Sequence, residues 1–114
     1  MDKKLVIIES PYAGDFKRNE KYARRCMLDS FMHGEVPFVS HLLYTQVLDD
    51  TDLLQRKMGM EAGFEILKRS DFSAVYKDYG ISEGMAEGNK IAEGLGHSVE
   101  YRRIGQNESG EINE

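Results

Sequence analysis

The chain has only one cysteine, and this scarcity limits the chemistry open to it. Cys26 alone excludes an intramolecular disulfide and a multi-cysteine zinc site. Its neighbours Met27 and Leu28 are apolar, which favours an unreactive thiol that faces the core. The three histidines do not pair at the spacing of metal ligands, so we expect no bound metal.

Long hydrophobic runs are also missing. The first apolar segment, Leu5 to Ile8, is far too short for the apolar region of a signal peptide, and no segment approaches the length of a membrane span. We therefore expect a cytoplasmic protein, or one that acts in the cytoplasm of a host, with no membrane partner.

The chain has fewer basic than acidic residues. The 15 Lys and Arg residues against 20 Asp and Glu residues give a net charge of −5, so no basic field would offset the phosphate repulsion of a DNA or RNA duplex. The length of 114 residues suits one domain, which we place at 1–104, followed by a polar tail at 105–114. Nothing in the composition indicates a cofactor.

Strand and helix patterns alternate along the whole chain. Short apolar or β-branched runs predict strands, and periodic segments that end at glycines predict helices. Pro37 restricts its strand to an edge or to a strand beginning. The alternation predicts a Rossmann-like or flavodoxin-like open parallel sheet of about four to five strands with helices on both faces. The predicted strands are 4–9, 36–40, 72–76 and 98–102, the helices are 16–34, 53–70 and 84–95, and 41–52 is a loop.

Three loops follow the carboxyl ends of the predicted strands, where open α/β sheets bind ligands. Each loop carries groups suited to a nucleoside or nucleotide: hydroxyls, rings for stacking, and glycines that permit close backbone approach. The third loop opens a helix whose N-terminus favours an anion such as phosphate. The candidates are Ser10, Tyr12 and Gly14 in the first loop, His41, Tyr44 and Gln46 in the second, and Ser82, Gly84 and Met85 in the third.

Two motifs resemble a known group of proteins. The strand followed by Ser10-Pro11-Tyr12-Ala13-Gly14 resembles the opening of the nucleoside 2-deoxyribosyltransferase-like superfamily. The block Gly80-Ile81-Ser82-Glu83-Gly84-Met85 is similar to the nucleotide loop and helix of that superfamily, and small phage and bacterial members look closest. The resemblance covers most of the chain from Leu5 to Arg102.

This resemblance implies an activity and roles for particular residues. Characterised members cleave or exchange the N-glycosidic bond of deoxynucleosides or their monophosphates, through a glutamate nucleophile that a tyrosine orients. Tyr12 corresponds to the tyrosine, and Ser82 to the serine that binds the 5′-phosphate. Members often complete their sites across a dimer interface, so we expect a homo-oligomer and choose the helix at 53–70 for the contact.

One position departs from the pattern of this superfamily. The nucleophile is expected six residues after the serine, where this chain has Gly88. Glu87 is adjacent but is rotated by about 100° around a helix, and Glu83 in the loop is a second substitute. Glu61 and Glu65 are remoter options. Acidic residues in a first helical turn also complement the helix dipole without any catalytic role.

Three hypotheses from different classes follow. The protein is a nucleotide-binding N-glycosidase or deoxyribosyltransferase that uses Glu87 or Glu83 with Tyr12. Alternatively it has lost catalysis, and it senses or sequesters a nucleotide or a nucleotide signal. The third hypothesis is an interaction protein whose crevice is vestigial and whose methionine-rich helix faces contact other subunits.

Overall fold

The computed structural model describes residues 2–105, so the predicted tail at 105–114 lies outside the described part of the chain except for its first residue. Strands and helices alternate within this range, as the sequence pattern predicts. The strands are β1 (Leu5–Glu9), β2 (Val36–Phe38), β3 (Phe72–Tyr76) and β4 (Val99–Arg102), and the helices are α1 (Phe16–Met32), α2 (Ser40–Leu43), α3 (Leu53–Arg69) and α4 (Glu83–Gly94), with a 3-10 turn at Tyr44–Gln46.

The four strands form one parallel open sheet in the order β2-β1-β3-β4. The predicted α/β class and its parallel sheet are therefore confirmed, at the lower strand number. β2 is an edge strand, which explains why it tolerates Pro37, a residue without a backbone N–H. After β1 the chain forms β2 on one side of it, and then crosses over to form β3 on the other side. The strand order therefore reverses between β1 and β3, and ligand crevices of α/β sheets lie at such points.

Helices cover both faces of the sheet. On one face, Tyr22 and Cys26 of α1 pack with Val6 and Ile8 of β1 in the larger apolar cluster. On the other face, residues of α3 and α4 pack with Ile7 in the second cluster. This alternation along β1 follows from the two-residue period of a strand, which sends successive side chains to opposite faces.

Two details of the predicted helical segments are wrong. Phe31 and Met32, predicted on the inward face of α1, are 54% and 79% exposed. The buried face of this helix follows Tyr22, Cys26 and Ser30 at four-residue spacing, and the next two residues are turned about 100° and 200° away from Ser30. The segment 41–52, predicted as a loop, contains α2 and the 3-10 turn. Four residues are too few to show a helical period in a sequence.

Three of the helix starts are capped by local side chains. The Asp52 carboxylate accepts a hydrogen bond from the backbone N–H of Gln55 and caps α3, while Asp15 caps α1 in the same way. Ser82 caps α4 by accepting a bond from the N–H of Met85 at 3.3 Å. These caps fix the points at which the loops of the carboxyl edge turn into helices. No helix in the described range is long and apolar enough to cross a membrane.

Candidate functional site

A cleft of about 670 Å³ opens at the carboxyl edge of the sheet, beside the point where the strand order reverses. Its wall is formed by the end of β1 with the loop that follows, the start of α2, one side of α3, and the first turns of α4. The volume is within the range of small-molecule sites. The topology therefore brings the three predicted loops together with α3, which the sequence did not place there.

Buried side chains hold the loops of the cleft in position. Asn19 of α1 is 1% exposed, and its amide donates to the backbone oxygens of Tyr12 and Ala13 in the first loop. The Tyr22 hydroxyl donates to the carboxylate of Asp78 at 2.6 Å and accepts from the Asp78 backbone N–H at 2.9 Å, which ties the loop after β3 to α1. The cleft is thus built on a rigid frame.

Glu9, the last residue of β1, is the most deeply placed carboxyl group of the cleft. Burial raises the pKa of this carboxyl from 4.5 to about 7, since the surrounding protein disfavours the charged form. Its side chain lies on the same face of β1 as Ile7 and reaches α4. One carboxylate oxygen is 3.0 Å from the point that a Cβ at Gly88 would occupy.

His41 lies at the start of α2 beside the first loop. Its Nε2 is 3.1 Å from the hydroxyl of Ser10, a buried residue that follows Glu9 directly. Burial lowers the pKa of this imidazole from 6.5 to about 4, so the ring is neutral at pH 7. Tyr12 packs at a tilt against the His41 ring with 5.4 Å between centroids, and edge-on against Phe16 at 5.1 Å. Ring and hydroxyl groups therefore line one end of the cleft.

The N-terminus of α4 forms the opposite end. Ser82 and the exposed Gly84 line the cleft, while Met85 is 1% exposed and its sulfur accepts a bond from the Ser82 N–H at 3.4 Å. The Ser82 hydroxyl oxygen caps the helix, and its own O–H can still be donated to a ligand. Glu83 and Glu87 are exposed on the first turns and also line the cleft.

The charges around the cleft are unevenly distributed. Arg56 of α3 is the one Lys or Arg among the residues that line it within the described range. Four carboxyl groups share the wall, from Glu9, Asp50, Glu83 and Glu87. A wall with this balance suits a ligand that carries little negative charge, because each additional phosphate would meet like charges.

The predicted site residues are mostly brought together. One cleft is lined by eight of them: Ser10, Tyr12, His41, Ser82, Glu83, Gly84, Met85 and Glu87. Tyr44 lines a smaller adjoining pocket of about 110 Å³. Gly14 is outside the walls of both pockets, and its φ of +100° shows that a turn requires glycine there.

The structure places four other predicted residues in different surroundings: Gln46, Glu61, Glu65 and Gly88. Neither pocket includes Gln46 or Glu61 among the residues of its wall. Glu65 is bonded to Lys68 and Arg69 on the solvent side of α3. Gly88 lies in the wall of the large cleft, directly against Glu9.

The sequence prediction missed two groups of the cleft, Glu9 and Arg56. Glu9 was included in a strand predicted to be fully buried, although strand alternation alone places it on the face of Ile7. Arg56 lies on α3, where apolar and polar residues are poorly separated, so the sequence does not show which side of this helix faces the cleft. Within residues 2–105, no group of three His, Cys, Asp or Glu side chains could hold a metal ion.

The fold and the site together define an α/β protein with an open parallel sheet and a polar cleft at the carboxyl edge of its strands. The chain belongs to the family described as Domain of unknown function (DUF7768), which matches residues 4–102 and so includes all four strands and the whole cleft. No curated protein matches the sequence. The family description names no activity, so the similarity to nucleoside 2-deoxyribosyltransferase-like proteins stays a prediction.

Proposed function

We propose that this protein binds a nucleoside or a nucleoside monophosphate in the cleft at the carboxyl edge of its sheet. The observation that supports this most is the arrangement of two unlike ends in one cavity. Tyr12 and His41 offer ring surfaces and a neutral nitrogen for a base at one end. Ser82 and the free N–H groups of the first turn of α4 offer donors for a phosphate at the other.

The charges of the cleft wall limit the number of phosphates that we expect on the ligand. A single phosphate at the α4 N-terminus gains from the helix dipole, whereas a triphosphate would extend past several carboxyl groups. We therefore expect monophosphates and nucleosides to bind more tightly than triphosphates of the same base.

A charge placed at the helix cap tests the phosphate end. Asp is a good N-cap residue, so Ser82→Asp keeps the cap of α4 but adds a negative charge where the phosphate would lie. Calorimetric titration should show a monophosphate affinity at least tenfold lower, about 1.4 kcal/mol, with nucleoside affinity retained. The control Ser98→Asp adds the same charge at an exposed position before β4. Equal affinities in Ser82→Asp and wild type would refute the phosphate site.

A second candidate function is cleavage or exchange of the N-glycosidic bond of such a ligand. A deeply placed carboxyl group, Glu9, together with the carboxylates of Glu83 and Glu87 in the same cleft, favours this candidate. Glycosidic bond cleavage uses carboxyl groups as nucleophile, acid or base. Incubation with each deoxynucleoside monophosphate, with and without an acceptor base, should release or exchange the base. If every base stays attached while the nucleotide binds, the protein is a binding or sensing protein.

We also propose that α3 contacts a second copy of the chain. Leu53, Leu54 and Met58 on this helix are 84%, 68% and 52% exposed, and such apolar surface is typical of subunit interfaces. Light scattering after size exclusion should give a mass above 13.0 kDa. Leu54→Lys should lower that mass, while a monomeric wild type would refute the contact.

A further inference from the structure

The contact between Glu9 and Gly88 joins the end of β1 to the second turn of α4. The two carboxylate oxygens of Glu9 lie 3.0 and 3.4 Å from the Cβ position of Gly88. The other glycines of this helix, Gly84 and Gly94, have no atom within 4 Å of their Cβ positions. Gly88 is therefore the position in α4 at which the missing side chain leaves space that a neighbour uses.

The Glu9 carboxyl group has no hydrogen bond or ion pair with any residue in the range 2–105. Glu9 is half-buried and its carboxylate oxygens are open to the cleft, where they offer about four acceptor positions. Two other polar residues of the cleft wall already have partners within the protein, since Ser10 is bonded to His41 and Ser82 caps α4. The acceptors of Glu9 are left for a molecule that enters the cleft.

We propose that Glu9 is the carboxyl group that contacts the ligand, that Gly88 makes room for it, and that the ligand group it binds is a sugar hydroxyl. Gly88 is six residues after Ser82, or about 9 Å along the helix axis. A phosphate at Ser82 would thus leave the attached sugar beside Glu9, and the base beyond it. This inference rests on the proposed nucleotide site and assigns the sugar end of it.

Paired changes of protein and ligand test the contact. We expect Glu9→Ala to weaken binding of a 2′-deoxynucleoside monophosphate about tenfold, the scale of one hydrogen bond to a charged group. The 2′,3′-dideoxy analogue should bind wild type about tenfold more weakly and lose nothing further in Glu9→Ala. Glu9→Gln, which keeps one acceptor, should lose less. A ribonucleotide included in the series shows whether the 2′-hydroxyl adds to the contact.

The possible results separate this inference from the proposed function. If wild type binds no nucleoside or monophosphate, the proposed function fails and the assignment of Glu9 fails with it. If wild type binds and Glu9→Ala binds equally well, only the assignment fails. A loss that is the same for the deoxy and dideoxy ligands moves the contact to an N–H group of the base and overturns the sugar assignment.

Two alanine substitutions in α4, one at Gly88 and one at Gly94 as its control, test the role of Gly88. Gly88→Ala should move the Glu9 carboxyl group by a few tenths of an ångström and weaken binding measurably but less than Glu9→Ala, with an unchanged or higher Tm, because alanine favours a helix. Gly94→Ala, on the same helix in open space, should keep wild-type affinity. The double variant Gly88→Ala/Glu9→Ala should bind no more weakly than Glu9→Ala alone. Wild-type affinity in Gly88→Ala would overturn the role given to this glycine.

Discussion

Replacing Glu9 by glutamine should make the protein more stable at alkaline pH. Burial raises the pKa of this carboxyl from 4.5 to about 7, so holding it ionised in the folded protein costs about 3 kcal/mol at pH values above 7. Glutamine has the same shape and no charge. Because whole domains have an unfolding free energy of about 5–15 kcal/mol, the gain is a measurable fraction of the total.

The extra stability of Glu9→Gln over wild type should increase as pH rises. Below pH 4.5 the carboxyl is protonated in both the folded and the unfolded chain, and the contribution of the neutral group to stability is fully present. Between pH 4.5 and 7 only the folded chain keeps the Glu9 proton, so the contribution of Glu9 to stability falls as pH rises, and above pH 7 the loss levels off. His41 titrates in both proteins alike, so its contribution cancels in their difference.

Urea unfolding followed by circular dichroism measures the effect at pH 5.0 and pH 8.5. The difference in unfolding free energy between Glu9→Gln and wild type should grow by about 2–3 kcal/mol from the lower to the higher pH. Glu87→Gln removes one exposed carboxyl from the same cleft and should show no comparable growth. A Glu9→Gln difference that does not change with pH, or wild type being the more stable at pH 8.5, would refute the burial argument.

Three other predictions concern stability and charge. The contribution of His41 to stability should be lost as pH falls from 6.5 to 4, because the protein around this half-buried ring disfavours its charged form. Relative to wild type, His41→Gln should therefore gain unfolding free energy over that range in urea titrations, and a difference that does not change with pH would contradict the assignment. Glu35→Ala should cost about 2 kcal/mol in urea unfolding, because it removes a carboxylate bonded at 2.6 Å to Arg102, whose side chain is 9% exposed and keeps its bonds to Glu100 and Tyr76. A cost below about 0.5 kcal/mol would show that water screens the pair. Arg56 also lines the smaller pocket with Tyr12 and His41, at the proposed base end, so Arg56→Gln should weaken calorimetric binding of a monophosphate and of its nucleoside about equally. A loss confined to the monophosphate would place the phosphate at Arg56 and not at Ser82.

The architecture could be predicted from the sequence because its signals are local. β-branched runs bounded by polar turns marked the strands, and β3 was predicted at Phe72–Tyr76, as the structure has it. Pro37 limited its strand to an edge or to a strand beginning, since proline lacks the N–H that a central strand needs, and β2 is an edge strand. The periodic pattern and the glycines that follow it placed the ends of the three long helices, α1, α3 and α4, to within two residues.

The interior of the site could not be predicted to the same degree, because its contacts join distant parts of the chain. Glu9 and Gly88 meet only when β1 and α4 pack on one face of the sheet, and no pattern in either segment records this contact. The sequence indicated correctly that Gly88 has no side chain to offer a ligand. It did not indicate that the carboxyl group of a different element lies against that position.

Binding of a deoxynucleoside monophosphate to wild type is the measurement that tests the central claim most directly. Thermal unfolding with each of the four monophosphates, followed by calorimetric titration of the one that stabilises most, should give one site per chain. At one hundred times the dissociation constant, the ligand should add about 2.7 kcal/mol to the unfolding free energy. If none of the four monophosphates or their nucleosides raises the Tm or gives heat of binding, the cleft is not a nucleotide site.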